Sequence, residues 1–270
     1  MIDINKITLK NNAMFNIVMR RPNLCKKCLE RILNKNISDI SYPESERTID
    51  LDLESKSIRL DIYCEDEDTS YNIELQNGIN DDLPRRSRYY QDMIDIDMLE
   101  KGHEYTELKN VIVIFICTFD IFGKDRHLYT FENICIQDNN IHLDDKTTKI
   151  FLNTKGTMND IPEPLKNFLE YIDTGSVTDD FTRELDETVV EVRKDKKWRN
   201  RIMTVEELIK DEAKIAKREG RQEERKLLNK LTELLINDDR IDDLKKSSID
   251  SNYQDILIAE YKDQLSDYIS

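Results

Sequence analysis

The sequence has few of the features that mark membrane, secreted or low-complexity proteins. Its longest apolar run, VIVIFIC at 111–117, is far shorter than the roughly 20 residues that cross a bilayer. The N-terminal segment MIDINKITLK lacks the apolar stretch and the small-residue cleavage site of a secretory signal. Only 6 Gly and 5 Pro occur among 270 residues, which excludes long flexible linkers. We therefore expect a globular cytoplasmic protein without a membrane span.

Cysteine and histidine are too sparse for most metal-binding frameworks. The five cysteines are an odd number, and Cys64, Cys117 and Cys135 lie in apolar, strand-like surroundings, as buried thiols do in a reducing compartment. Cys25 and Cys28 form a CxxC, but the chain has no second such pair and only three histidines. Reduced core cysteines are therefore favoured over a zinc site.

The charge balance excludes a protein that coats nucleic acid through a generally basic surface. Asp and Glu number 56 against 41 Lys and Arg, which gives a net charge of -15. Two local segments are nevertheless basic and aromatic: Arg85, Arg86 and Arg88 with Tyr89 and Tyr90, and Lys194, Lys196, Lys197, Trp198, Arg199 and Arg201. Each segment is either a solvated charged face or a local contact for DNA.

Hydrophobic periodicity predicts an α/β core. After a helical region, segments at 48–53, 57–64 and 71–76 alternate apolar and polar residues across short polar gaps, which predicts an antiparallel meander. A helix is predicted at 84–101. The strand that follows at 111–119 is apolar on both faces, so both of its sides should be covered. This order predicts a mixed central sheet with helices on both faces.

The last part of the chain is helical and highly charged. Residues 204–236 form a long amphipathic pattern, and another helix is predicted at 253–268. Two interpretations of the long helix stay open: an exposed helix with i to i+4 ion pairs, or a coiled-coil or dimer contact. We expect a main domain at 1–200 and a charged helical tail, with a role in oligomerisation, at 201–270.

The meander places acidic side chains in the middle of two apolar strands. Strict alternation puts Leu60 and Ile62 on one face and Asp61 on the other. A turn at 66–68 then sets Asp61 opposite or diagonal to Glu74, with Cβ atoms about 5 Å apart. Two carboxylates this close repel each other unless a proton or a cation lies between them. A hard divalent ion such as Mg²⁺ is the simplest explanation.

A solvated sheet face is the alternative interpretation of the same acids. Asp61, Glu74 and Gln76 would then point to water and bind nothing. The buried strand that follows weighs against this, because it implies helices on both faces of the sheet. The basic and aromatic segment at 85–90 also comes directly after these residues. In a site, the Gln76 amide would orient a water or bind a phosphate oxygen.

Four segments resemble a known family over about residues 10 to 200. They are NNAMFNIVM, RLDIYCEDEDTSYNIELQ, RRSRYYQDMID and YTELKNVIVIFICTFDIFG. Together they resemble the PD-(D/E)XK nuclease superfamily, and more narrowly its recombination-promoting nuclease or transposase branch. The resemblance implies a restriction-endonuclease-like αβββαβ core with a helical C-terminal extension. It also implies a divalent-metal-dependent DNA endonuclease, linked to recombination or mobile elements, that hydrolyses phosphodiester bonds with a water activated by Mg²⁺ or Mn²⁺.

The resemblance also assigns roles to residues of this sequence. Asp61 and Glu74 match metal ligands, the backbone carbonyl of Leu75 is a third ligand, and Gln76 completes the catalytic set. The residues proposed to contact the DNA backbone are Arg86, Arg88 and Tyr90. Contacts of that kind position DNA without reading its sequence.

Two positions depart from the superfamily pattern. Gln76 occupies the position where Lys is usual, and Asn12 the position where similar proteins often have an acidic residue. We therefore leave Asn12 and the first helix out of the catalytic set. A neutral amide cannot supply the electrostatic stabilisation of a cation, so a low rate is expected.

Other functions therefore remain open. One is a catalytically weak or inactive nuclease-fold protein that binds DNA or a protein through its core and C-terminal helix. Another is an oligomerising protein that acts through its tail. A homodimer is attractive at the level of the family, because one such site cuts one strand.

Overall fold

The computed structural model describes residues 4–41, 45–49, 58–78, 82–99 and 104–268, with the backbone alone at 205–223 and a few other positions. The chain divides into two compact units, Met1–Met203 and Thr204–Ser270. The strands are β1 (Ser45–Ile49), β2 (Ile58–Glu65), β3 (Thr69–Gln76), β4 (Asn110–Cys117), β5 (Leu128–Phe131), β6 (Ile134–Cys135), β7 (Asp138–His142) and β8 (Thr147–Asn153). The helices are α1 (Asn12–Met19), α2 (Pro22–Leu33), α3 (Leu83–Met98), α4 (Glu163–Thr174), α5 (Asp180–Lys194), α6 (Lys196–Asn237), α7 (Ile241–Ser247) and α8 (Ser251–Glu260).

Local sequence signals set the first two helices. The side chain of Asn11 accepts a hydrogen bond from the backbone N–H of Met14 and caps α1. Pro22 occupies the first turn of α2, where its missing N–H leaves no bond unmade. The helix is terminated by the following residue, Asn34, which adopts the left-handed conformation at φ 49°. Asn tolerates this conformation better than most residues.

The main sheet has six strands in the order β1-β2-β3-β4-β8-β5. The first three strands form the antiparallel meander that the alternation predicts. Strand β4 lies parallel to β3, β8 lies parallel to β4, and β5 closes the sheet antiparallel to β8. Strands β6 and β7 form a separate hairpin. The predicted mixed sheet flanked by helices is confirmed.

Two cores cover the two faces of this sheet. Side chains such as Ile73 and Ile114 face the larger core, to which α1, α2, α4 and α5 contribute. Phe115 and Phe151 face the smaller core, which α3 covers. Because neighbouring residues of β4 point to opposite cores, the strand is buried along almost its whole length. The prediction of a strand covered on both sides is therefore confirmed.

One detail of the predicted strand faces is wrong. Leu60 belongs to the core under α3, whereas Ile62, two positions later, belongs to the opposite core. The alternation of faces therefore breaks between them, at Asp61. The backbone pairing of β2 with β3 runs from Glu65 to Ile62, so the break coincides with the end of the regular ladder.

The long helix begins eight residues before the predicted start. It starts at Lys196 and runs without a break to Asn237. The carboxylate of Asp195 accepts hydrogen bonds from the N–H groups of Lys197 and Trp198, at 2.8 and 3.0 Å. This cap satisfies two donors of the first turn and fixes the start of the helix.

The second unit has a small core of its own. Leu231, Leu235, Leu257, Tyr261 and Leu265 are buried together there. The predicted last helix is too long, since α8 ends at Glu260 and the chain turns so that Tyr261 and Leu265 enter this core. Helix α7 was not predicted. The predictions for 50–57 and for the helix end at Gly102 fall outside the described residues.

Membrane spanning is not supported by any described helix. Among the helices that the structure describes, none combines the length and apolar character that a bilayer span requires. Even α6, which is 42 residues long, has charged residues along its whole length.

The carboxyl ends of β3, β4 and β8 lie at one edge of the sheet, with Gln76 beside Cys117 and Cys117 beside Asn153. A tight loop packs at this edge. The ring nitrogen Nδ1 of His127 lies 2.9 Å from Asp160 Oδ1. A Cβ placed on Gly156 would lie 2.5 Å from His127 Cγ and 2.7 Å from its backbone nitrogen.

Replacing Gly156 should therefore destabilise the first unit. We expect Gly156→Ala to lower the free energy of unfolding by about 1–3 kcal/mol, because backbone atoms must move to admit the methyl group. Gly78→Ala is the matched control, since its Cβ meets nothing within 4 Å and should change stability by less than about 0.5 kcal/mol. Urea unfolding followed by circular dichroism measures both. Equal stability of the two variants would contradict this packing.

Candidate active site

Two carboxylates accept backbone hydrogen bonds at the point where the pairing of β2 with β3 ends. The N–H of Asp61 donates a hydrogen bond to Glu74 Oε1 at 3.1 Å. The N–H of Leu75 donates to Asp61 Oδ2 at 3.3 Å. Each acid therefore accepts from the backbone of the opposite strand, and the two side chains lie next to one another at the opening of the ladder.

Burial makes negative charge on this pair costly. Glu74 is only 2% exposed, and burial raises its pKa well above the ordinary value, with a further contribution from the charge of Asp61. Burial also raises the pKa of Asp61, although hydrogen bonds from Leu75 and Asn16 oppose that shift. A proton or a cation shared by the pair removes this cost.

The backbone carbonyl of Leu75 lies beside the two acids. The N–H and C=O of a strand residue point to the same side of the strand, and the N–H of Leu75 donates to Asp61. Its carbonyl oxygen accepts a hydrogen bond from Asn12 Nδ2 at 3.3 Å. The site thus offers two carboxylates and one carbonyl, all of them oxygen donors.

This donor set fits a hard divalent cation. Mg²⁺ and Mn²⁺ prefer carboxylate, carbonyl and water oxygens. Within the described ranges, no group of three His, Cys, Asp or Glu side chains is placed to hold a metal, so an ion here needs the carbonyl of Leu75 or water besides Asp61 and Glu74. Arg86 Nη2 lies 4.0 Å from Glu74 Oε2, and the positive charges of Arg59 and Arg86 oppose the rise in the pKa of Asp61.

Two asparagines of α1 belong to this site, although the first helix was not predicted to contribute to it. Asn12 donates to the Leu75 carbonyl, and Asn16 Nδ2 donates to Asp61 Oδ1 at 3.4 Å. They are four residues apart and so lie on one side of the helix. Asn16 is 4% exposed, and its Oδ1 has no partner among the described residues. In the sequence, these two residues could have been identified as amide side chains in an otherwise apolar helix.

Arg86 connects the remaining residues of the site. Its Nη1 donates to Gln76 Oε1 at 3.2 Å, and its Nη2 donates to the Tyr90 hydroxyl at 2.8 Å. The guanidinium carbon lies 5.3 Å from the Tyr90 ring centroid and 5.8 Å from that of Phe115. The two rings and Gln76 therefore hold the cation at the side of Glu74.

Arg88 is placed differently from the other predicted site residues. It is exposed on α3, and a separation of two residues puts it about 200° around the helix from Arg86. Asp61, Glu74, Leu75, Gln76, Arg86 and Tyr90 come together, whereas Arg88 faces solvent. Any contact that Arg88 makes with a ligand is separate from the acids.

Comparison with known proteins gives one match. The family model described as PD-(D/E)XK nuclease family transposase matches residues 22–214. No curated protein and no solved structure matches the chain. The matched segment includes both acids, Gln76 and Arg86, and begins after the two asparagines of α1. Because it covers well over half of the 270 residues, the chain belongs to the PD-(D/E)XK nuclease family transposases.

Proposed function

We propose that this protein is a divalent-metal-dependent DNA endonuclease that hydrolyses phosphodiester bonds in recombination or in the movement of mobile elements. One observation carries the proposal: Asp61 and Glu74 lie side by side, largely buried, next to the Leu75 carbonyl. Family membership supports a nuclease or transposase-like function, and PD-(D/E)XK nucleases generally use divalent metals.

The ligands that we assign to Mg²⁺ or Mn²⁺ are Asp61, Glu74 and the carbonyl of Leu75. Such an ion supplies a Lewis acid that lowers the pKa of a water and offsets charge on the phosphate. Asn16 orients the Asp61 carboxylate, and Asn12 orients the carbonyl. Hydrogen bonds of this kind hold ligands in place and tune affinity.

Arg86 and Gln76 act on the phosphate side of the site in this proposal. Gln76 Oε1 accepts from Arg86, which leaves the amide nitrogen of Gln76 to donate to a phosphate oxygen or a water. The guanidinium carries the positive charge that Gln76 lacks and retains further N–H donors for the phosphate. Tyr90 holds the guanidinium and, with Arg88, contacts the DNA backbone.

The two units suggest a division of roles. We propose that 1–200 forms the nuclease domain and that the helical tail at 201–270 supports oligomerisation. The division of the chain into two compact units falls between Met203 and Thr204, close to that boundary. A homodimer would bring two sites to a duplex, since one site cuts one strand.

Cleavage of supercoiled plasmid tests the proposed activity. We expect wild-type protein to nick or cut DNA with Mg²⁺ or Mn²⁺ and a chelator to abolish the reaction. Asp61→Asn and Glu74→Gln should each lower the rate at least about 100-fold, because each removes a ligand. Glu65→Gln is the matched control on β2, where Glu65 pairs with Lys109 and should not affect cutting.

Two outcomes would contradict the proposal. Full activity of Glu74→Gln would show that Glu74 is not a metal ligand. Absence of cutting by folded wild-type protein, with no metal binding in calorimetry, would favour the second candidate function. That candidate is an inactive nuclease-fold protein that binds DNA or a partner, and the neutral Gln76 and the net charge of -15 favour it.

The raised pKa of Glu74 predicts how metal-free stability depends on pH. Its unfolded-state pKa is about 4.3, so the folded state retains the proton to higher pH. Stability from this group is present below the unfolded value and is lost as pH rises through the folded value. In chelator, Glu74→Gln should therefore melt above the wild type at pH 8, with a smaller difference at pH 5.

Addition of Mg²⁺ should reverse the difference in Tm between the wild type and Glu74→Gln at pH 8. We expect Mg²⁺ to raise the Tm of the wild type at pH 8 and to leave that of Glu74→Gln unchanged, because ligands bind only to the folded site. Thermal melts by circular dichroism at pH 5 and 8 measure both effects. A difference between the proteins that is independent of pH would show that Glu74 does not titrate as its burial requires.

Arg86 and Arg88 should affect different steps. Arg86→Met should lower the single-turnover rate at saturating DNA by about 10- to 100-fold, because the cation beside Glu74 and Gln76 is lost. Arg88→Met should instead weaken DNA binding and reduce the salt slope by about 1, with the saturating rate unchanged. Fluorescence anisotropy and single-turnover cleavage separate the two. If both variants bind DNA more weakly but cut at the wild-type saturating rate, Arg86 contributes only a contact to the DNA backbone.

A further inference from the structure

Two cations of the second basic segment, together with Arg20 at the end of α1, lie around one tryptophan in the structure. Three cations lie within 6 Å of the Trp198 ring centroid: Arg20 Cζ at 5.5 Å, Lys197 Nζ at 5.6 Å and Arg201 Cζ at 5.9 Å. We use the name Trp198 surface for Trp198, these three cations and the exposed neighbouring cations of the same helix start, Lys196 and Arg199. Contacts with the ring offset part of the repulsion among these charges, but the positive charge remains concentrated.

Three exposed cations of this surface form no ion pair with the described carboxylates. Within the described residues, Lys196, Lys197 and Arg199 are exposed and have no carboxylate within ion-pair distance. Two described acids that are close in the sequence have other partners. Asp195 accepts from backbone N–H groups at the start of α6, and Glu191 pairs with Arg21 at 2.9 Å.

Many other cations of the first unit are paired with acids. Examples are Lys27 with Glu184, Arg31 with Asp179, Arg47 with Asp97, Lys109 with Glu65, and Lys155 with Asp173. In a chain with a net charge of -15, the three cations Lys196, Lys197 and Arg199, unpaired among the described residues, lie close together in the sequence, and their repulsion has an electrostatic cost in the free protein. A polyanion that binds there removes the cost.

Helix α1 connects the Trp198 surface to the candidate active site. Asn16 donates to the Asp61 carboxylate at 3.4 Å, and Arg20 lies one turn further along the same side of the helix. Arg20 then contacts Trp198. The distance from the acids to the tryptophan is on the order of 15 Å, or about four nucleotides of a duplex strand.

We propose that the Trp198 surface binds the phosphate backbone of DNA a few nucleotides from the bond held at Asp61 and Glu74. This inference rests on the proposed nuclease function. The contact is separate from that of α3, because α1 and α3 cover opposite faces of the sheet. DNA laid across the opening of the ladder would meet cations from both faces, and phosphates would pair with Lys196, Lys197 and Arg199.

Binding of a fluorescein-labelled duplex to full-length Glu74→Gln protein in chelator tests the proposal without catalysis. Lys196→Gln, Lys197→Gln and Arg199→Gln are combined in one variant. The matched control combines Lys35→Gln, Lys146→Gln and Lys166→Gln, which are exposed cations elsewhere in the first unit. Both variants change the net charge equally, so a difference between them reports position.

The first variant should lose about 10- to 100-fold in affinity near 0.1 M salt, and its salt slope should fall by about 2 to 3, one for each lost phosphate contact. The control should lose less than about threefold. Equal affinities and slopes for the two variants would overturn the inference, because the effect would then depend on net charge alone.

Trp198 provides a second measurement, since it is the only tryptophan among the 270 residues. Saturating duplex should shift or quench its emission, because a phosphate that pairs with Lys197 changes the field at the indole. Trp198→Phe should abolish the signal while anisotropy still reports binding. Unchanged emission at saturation would also overturn the inference.

The two proposals fail in different ways. Metal-dependent cutting by wild type, together with equal binding by the two triple variants, would remove the Trp198 surface and leave the nuclease function. Absence of both cutting and DNA binding would remove both.

Discussion

The separation of β2 from β3 at Asp61 and Glu74 is the constraint on which the site depends. Strands that part leave backbone donors in need of acceptors, and here two carboxylates accept them. The hydrogen bonds that satisfy the backbone also fix the acids beside the Leu75 carbonyl. The arrangement is therefore a property of the sheet and not of a loop, and sheet positions hold functional groups more rigidly.

The rest of the first unit compensates for this arrangement. Two largely buried acids destabilise a metal-free protein, while buried strands and two cores stabilise it. The smaller core also shapes the site. Phe115 stacks on Phe151 at 5.4 Å and packs against Tyr90 at 6.2 Å, and these rings support the guanidinium of Arg86. Packing under α3 is thus coupled to the electrostatics beside Glu74.

The sequence predicts the sheet because alternation and burial are local patterns, but it does not predict where side chains replace backbone partners. Leu60 and Ile62 lie in different cores, since the ladder ends between them, and a period of two cannot show this. Asn12 and Asn16 are far from β2 and β3 in the sequence, and only the folded structure brings them into contact. The start of α6 was misplaced by eight residues, because the prediction followed the amphipathic pattern and not the Asp195 cap, which lies directly after α5.

The net charge describes this chain poorly, because its cations are not evenly distributed. Arg86 approaches the opening of the ladder from the face covered by α3, and Arg20 lies along α1 on the other face. Under the proposed function, the net negative charge of the chain opposes DNA binding, and the cations attract DNA where both groups can be reached at once. Under the proposed function, an excess of 56 acidic over 41 basic residues thus disfavours non-specific binding and helps to position the strand at Asp61 and Glu74.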